Sequence, residues 1–222
     1  MTSAHAKSRK RWLRRVVASV TVAVCSLSVV SAATANDDHH SQPRPKRVNE
    51  ASAGTWSYAS HPDLTQTLPY NCIPTAASMA LASMGVNLTP ADLGHRMNLI
   101  KDWGVSGDDL MRVYNQVQPD RRELTYEVVT SARQVEADLS VDLLHHVAVP
   151  ALVIAAGLPW QGGEITGHAV VVDGMNPARH LVRVFDPAPR NGGEHVLTTE
   201  QLLNALQMES GVRRLLVDQE LS

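Results

Sequence analysis

The sequence runs to 222 residues, 44% hydrophobic and 19% charged, with a formal net charge of −2. Those proportions exclude a disordered polyelectrolyte and a bundle of membrane spans, and the length suits one or two globular domains. Thirteen Gly, 12 Pro and 2 Cys exclude collagen-like and disulfide-scaffold classes, and with 1 Phe, 4 Trp and 4 Tyr the core must be aliphatic, with no aromatic platform for nucleic acid.

The first segment reads as a targeting signal. Lys7, Arg9, Lys10, Arg11, Arg14 and Arg15 all precede the first acidic residue, Asp37. The apolar run over 16–30 is 15 residues long, short for a membrane span, and Ala33-Thr34-Ala35 then supplies the small-x-small pattern of a signal-peptidase site. The expectation is a signal peptide over 1–35, export to the extracellular side and Asn36 as the mature N-terminus, with an uncleaved anchor as the alternative. Residues Ser8-Arg9-Lys10-Arg11-Trp12-Leu13-Arg14 approximate a twin-arginine motif with Lys10 where the second arginine belongs, so the export route stays open. Cleavage removes six positive charges and no negative ones, taking the net charge from −2 to −8. Nucleic acid is then an unsuitable partner, and no membrane partner is expected after cleavage.

Cleavage also removes Cys25 and leaves Cys72 as the remaining thiol, so no intrachain disulfide can form. A lone exported thiol is buried and inert, paired with another chain, or retained for its chemistry. Residues 36–54 carry almost no apolar side chains and read as a flexible lead-in. His39-His40 beside Asp37 and Asp38 belong to a solvated tail, since no further metal ligand follows at fixed spacing. Residues 55–222 read as one domain without repeats or low-complexity runs.

Within that domain helices come first. Pro74 in a first turn, strong helix formers from Ala76 to Met84 and the stop at Gly85 predict a helix over 73–84 with Cys72 at its N-terminus. Thr89-Pro90-Ala91-Asp92 opens a second helix with a capping-box-like pattern, and Ser106-Gly107-Asp108-Asp109 opens a third that runs toward Gln116. A fourth follows Thr130-Ser131 toward His145. The period then changes. Short Val/Leu/Ile-rich runs at 126–129, 148–156, 168–174, 181–186 and 213–218 predict strands, and Thr198-Thr199-Glu200 opens a short helix between the last two. Helices first and mostly antiparallel strands afterwards make an α+β domain of two packed layers.

A thiol at a helix N-terminus sits where unpaired backbone N–H groups and the positive end of the macrodipole favour thiolate. Catalysis also needs an imidazole to hold the ion pair and protonate the leaving group. Among the ten His residues His168 stands out, because it opens an apolar strand after the segment 162–167. A hairpin with 181–186 returns Asp186 beside it, where a carboxylate accepts from the ring and fixes its tautomer. Taken singly, His168 also fits a polar strand edge and Asp186-Pro187 a strand-ending turn.

Three motifs in this order resemble a known family. Gln66-Thr67-Leu68-Pro69-Tyr70-Asn71-Cys72-Ile73-Pro74-Thr75-Ala76-Ala77-Ser78-Met79, then Gly167-His168-Ala169-Val170-Val171-Val172-Asp173-Gly174, then Val184-Phe185-Asp186-Pro187 are similar to the nucleophile, histidine and aspartate motifs of the bacteriocin-processing, double-glycine leader peptidases and their stand-alone secreted relatives, in the papain-like superfamily. The resemblance spans about residues 60–210. It implies a papain-like fold, with the helical part carrying the nucleophile packed on a mostly antiparallel sheet. It further implies Cys72 as nucleophile, His168 as general base and acid, Asp186 as the residue orienting it, and Gln66 as an oxyanion-hole donor. The family usually has a small residue, most often Gly, after the cysteine, where this chain has Ile73.

The expected function is an exported cysteine hydrolase that cleaves peptide or amide bonds in a peptide or protein substrate through an acyl-enzyme on Cys72, with no cofactor and no metal. The alternatives are a non-catalytic binding module that keeps the fold and a transglutaminase-like acyltransferase with the same triad. The separation of 96 positions from Cys72 to His168 exceeds the spacing of a compact transglutaminase core. No paired-cysteine zinc motif, metalloprotease helix, phosphate loop or serine elbow is present. His145-His146 near a helix end have an ordinary macrodipole explanation. Trp103 and Trp160, in loop sequence, fit either a cleft wall or a partly buried surface.

Overall fold

The computed structural model describes residues 55–119, 122–163, 166–209 and 212–220. The expected signal peptide over 1–35 and the expected lead-in with His39 and His40, together with Cys25 and Asn36, lie outside the described residues.

Among the described residues five helices form where local chemistry starts and stops them: α1 (Cys72–Ser83), α2 (Pro90–Arg96), α3 (Gly107–Val117), α4 (Ala132–Leu144) and α5 (Thr199–Ala205). Thr89 with Asp92 and Thr198 with Gln201 close full capping boxes on α2 and α5, and Ser106 and Ser131 accept from the first turns of α3 and α4. Past α1, Gly85 adopts φ +83°, a left-handed conformation that a side chain would resist. The exception is the start of α1. Asn71 stands at its N-cap but makes no side-chain cap; its amide oxygen accepts from Leu68 N at 3.1 Å instead.

The strands are β1 (Ser57–Tyr58), β2 (Arg122–Val129), β3 (Val149–Ile154), β4 (Gly167–Asn176), β5 (Leu181–Asp186), β6 (Gly193–Thr198), β7 (Met208–Glu209) and β8 (Val212–Glu220). They make two sheets rather than one, and every pairing is antiparallel. In the larger sheet β4 is central: β3 and β1 pair with it at its two ends, β5 pairs with it, and β6 closes beyond β5. In the smaller, β8 pairs with β2 and β7. The second sheet arises because β2 extends back to Arg122 and matches β8 along its whole length, from Arg122↔Glu220 to Val129↔Arg213. The expected strand 148–156 stops at Ile154, where a 3-10 turn over Ala155–Gly157 packs on α5.

Strands β1, β6 and β7 fall outside the sequence expectation for a physical reason. Two-residue strands carry no period, and β6 (Gly193-Glu194-His195-Val196-Leu197-Thr198) buries only Leu197, as an edge strand does.

Helix α1 packs on β4 and β3 with its run of buried small residues, Ala76, Ala77, Ser78 and Ala80. The core is aliphatic as composition requires, with Val170, Val171, Val172, Leu139, Leu143 and Leu215 fully buried; Tyr114 is the aromatic fully enclosed with them. Among the described residues no helix is long and apolar enough to cross a membrane.

Candidate active site

Strand alternation sets up the site. Val172 pairs with Val184 across β4 and β5, so His168, Val170 and Val172 share one face with Val182, Val184 and Asp186. The valines fill the core from that face. At the end where β4 begins and β5 ends, the same face presents an imidazole and, on the diagonal, a carboxylate. His168 Nε2 donates to Asp186 Oδ1 at 2.7 Å. That bond leaves Nδ1 of the ring for Cys72, the other group that acts on the imidazole.

Asp186 is wholly enclosed and its carboxylate is saturated with donors. Oδ1 accepts from His168 and from Ala188 N at 2.8 Å, and Oδ2 accepts from Trp160 Nε1 at 2.7 Å and Gln161 Nε2 at 2.6 Å. Burial pushes the carboxyl pKa up, yet the His168 bond and charge, the indole N–H and the Ala188 amide hold it below the usual carboxylate range. Burial pulls the His168 imidazole down, but the bonds and charges of Asp186 and Cys72 outweigh it and push the ring up to about 9. His168 is therefore an imidazolium at neutral pH, held between the Asp186 carboxylate and the Cys72 sulfur.

Gln66 is buried and lines the same cleft as Cys72, Ile73 and His168. Its Nε2 donates one proton to Leu68 O at 2.9 Å, which fixes the amide orientation and leaves a second N–H. The strap leading to it is pinned at both ends. Gln66 N donates to Pro187 O at 2.8 Å, directly after Asp186, and Ala59 N donates to Asp173 O at 2.8 Å. The Cys72 amide opens the first turn of α1, where a backbone N–H has no carbonyl partner within the helix.

The cleft has a volume of about 1210 Å³. Trp103 stands at its rim, 87% exposed, on a turn closed by Ile100 and Gly104. Along the wall, a Cβ at Gly107 would collide with the Tyr126 hydroxyl, so a side chain at the start of α3 would force that ring to move. Trp160 does not line the cleft; it sits behind Asp186.

Sequence reasoning did not single out Gln161, the Ala188 amide, the indole bond of Trp160 or a second buried His–Asp pair. In that pair His61 Nε2 meets Asp173 Oδ2 at 3.0 Å while Nδ1 meets Pro62 O at 3.0 Å, and Arg183 Nε donates to Asp173 Oδ1 at 2.9 Å. Asp173 occupies the register shift between β4 and β5, and a bulge re-aims a side chain in this way. The Trp160, Gln161 and His61–Asp173 contacts have no local signature, since their partners lie 25 or more positions away, whereas the Ala188 amide closes a two-residue turn on Asp186. His146 Nδ1 meets Tyr58 O at 2.8 Å, and no group of three or more His, Cys, Asp or Glu among the described residues could hold a metal ion.

The profile of the family described as Peptidase_C39 like family matches residues 56–209. Among solved structures, a C39-like peptidase from Bacillus anthracis is similar at 14% identity with a TM-score of 0.53, covering 72% of this chain and 96% of that one. The peptidase domain of Streptococcus ComA, a bifunctional ABC transporter involved in quorum sensing, is similar at 16% identity with a TM-score of 0.50, covering 70% and 97%. A double glycine motif protease from an AMS/PCAT transporter, in complex with the leader peptide, aligns at 13% identity with a TM-score of 0.48, covering 73% and 95%. No curated protein matches the sequence. The shared architecture is the papain-like α+β fold.

Proposed function

We propose that this chain, which belongs to the Peptidase_C39 like family, is an exported cysteine peptidase that hydrolyses peptide bonds through a thioester on Cys72. The observation that carries the reading is the convergence of Cys72 at the uncapped N-terminus of α1 with His168, whose Nε2 is held by Asp186 at 2.7 Å. Family membership supports a peptide substrate.

In this reading the Sγ thiolate of Cys72 attacks the scissile carbonyl carbon, forming a C–S bond and moving the carbonyl π electrons onto oxygen. The Cys72 backbone N–H and the second Nε2 proton of Gln66 donate to that oxyanion. His168 Nδ1 gives its proton to the leaving nitrogen as the C–N bond breaks, which leaves a thioester and a neutral ring. The ring then takes a proton from water, hydroxide adds to the thioester carbonyl, and the C–S bond breaks to return the thiolate–imidazolium pair with a free carboxyl product. Throughout, Asp186 keeps Nε2 protonated and so reserves Nδ1 for proton transfer. Ile73, the branched residue beside the nucleophile, narrows the cleft toward small acyl groups.

The apolar run 16–30 and Ala33-Thr34-Ala35 support export, with cleavage before Asn36. N-terminal sequencing of secreted protein tests this; an intact chain starting at Met1 and recovered with membranes contradicts it. The activity itself is tested by incubating secreted protein with a peptide library and reading products by mass spectrometry, with Cys72→Ala as the blank. Cleavage that disappears in the Cys72→Ala blank is expected. Products that persist in that blank, or none from either protein, defeat the reading.

A further inference from the structure

We propose that Trp160 and His195 are positioning residues for the His168–Asp186 pair, acting as one stacked unit behind the site; this rests on the peptidase reading above. Three donors besides His168 decide where the Asp186 carboxylate points. One is the backbone amide of Ala188, which moves only with the chain. Another is Gln161, a long flexible side chain in the turn before Gly162 and Gly163. The third is the Trp160 indole, a rigid plane with a single N–H and no choice of donor atom.

That indole belongs to the same turn and is partly buried against the core. His195, from β6, adds the contact that sets the plane of its ring. Its ring lies parallel to the indole at 3.8 Å between centroids and 5° between planes. The His195 ring is fixed in turn, because its Nε2 donates to Asn191 O at 2.9 Å within the β5–β6 connection. The contacts therefore run from β6 through His195 and Trp160 to Asp186 and His168, with neither stacked ring touching the thiol.

Stacking confines the indole in its plane, and the plane aims the N–H at Asp186 Oδ2. One consequence follows for the reaction: the carboxylate keeps its other oxygen on His168 Nε2, so the imidazolium remains paired while the substrate exchanges. The groups facing the imidazolium are Asp186 and Cys72; those facing Asp186 are His168, Trp160, Gln161 and the Ala188 amide.

The test is alkylation of Cys72 by iodoacetate against pH, read as the mass of the Cys72 peptide. An anionic reagent reacts fast only while the imidazolium stands beside the thiolate, so the alkaline limb reports His168. Wild type is expected to show this limb near 9. His195→Ala lowers it by about one pH unit, and His195→Phe, which restores a flat ring, returns it. Trp160→Phe keeps the stack but removes the N–H, so it lowers the limb to the same degree, and adding His195→Ala to it changes nothing further. A merely structural role would lower the melting temperature of His195→Ala and Trp160→Phe while leaving their limbs at the wild-type position, and that result overturns the proposal. So does a His195→Phe limb that stays with that of His195→Ala. Absence of any fast, pH-limited alkylation in wild type instead removes the peptidase reading and this proposal together, which keeps the two failures distinguishable.

Discussion

His168 Nε2 and Asp186 Oδ1 lie 2.7 Å apart, and the aspartate side chain has no exposed surface. The aspartate is surrounded by donors alone: His168 and the Ala188 amide on one oxygen, Trp160 and Gln161 on the other. A carboxylate satisfies all four, and an amide cannot.

Asp186→Asn therefore turns an NH₂ group toward two N–H donors whichever way the amide is oriented. The expected cost is about 1–3 kcal/mol of stability, measured by chemical denaturation. The alkaline limb of Cys72 alkylation should fall from about 9 toward the ordinary histidine value. An unchanged limb would show that Asp186 does not hold the imidazolium.

Gln66→Ala should lower turnover about 10²- to 10³-fold with little change in KM, because the second N–H matters only once charge develops on the oxyanion. Leu68 O loses its donor, which costs about 1 kcal/mol in a melting experiment. A rate within a factor of two of wild type removes Gln66 from the oxyanion site.

Ile73→Gly should keep the fold and preserve or raise turnover by widening the cleft. Ile73 is half-buried and packs against the core as well as lining the cleft. The stability loss is then about 1 kcal/mol from helix propensity with about another 1 kcal/mol from lost contact. Abolished turnover in a folded Ile73→Gly protein would mean that Ile73 supports the site rather than crowding it.

Asp142 predicts a pH-dependent stability remote from catalysis. Burial, with the nearby Asp218 and Asp138 charges, pushes its carboxyl up to about 7 against the opposing Asp218 amide and Arg122. The folded state thus keeps a proton that the unfolded chain loses from about pH 4, so stability falls as pH rises to 7 and the penalty is complete above it. Asp142→Asn cannot ionise and should gain on wild type across that window, reaching at most about 4 kcal/mol at pH 8. Parallel stability curves for the two proteins between pH 4 and 8 would refute it.

His61 loses stability in the same direction as pH rises, but because its charged form is the one the fold pairs. Burial pulls its ring down, but Asp173 and the Pro62 carbonyl raise it overall, and both nitrogens face acceptors, as suits an imidazolium. Its contribution is fully present below about 6.5 and is lost as pH rises through the higher folded value. His61→Gln should therefore melt below wild type at pH 5.5, with the gap closing toward alkaline pH; a gap that widens with pH contradicts the assignment.

Much of the architecture is written locally. Thr89 with Asp92, Ser106, Ser131 and Thr198 with Gln201 each start a helix through contacts within four residues. Gly85 stops one by its own φ, and the Val-rich runs of β4 and β5 announce buried strands. Chain order alone also brought Cys72, His168 and Asp186 to notice, because a helix N-terminus and a hairpin are short-range objects. What only the tertiary structure decided depends on partners far apart in sequence. The split into two sheets needs β2 to meet β8. The half-exposed edge strand β6 exists by pairing with β5 rather than by its own period. The Trp160 and Gln161 donors on Asp186 and the stack of His195 on Trp160 join a turn, a strand end and an edge strand across 25 to 35 positions. Such contacts follow from how the sheet curls and where its loops return, and that geometry leaves no periodic trace in the sequence of any one element.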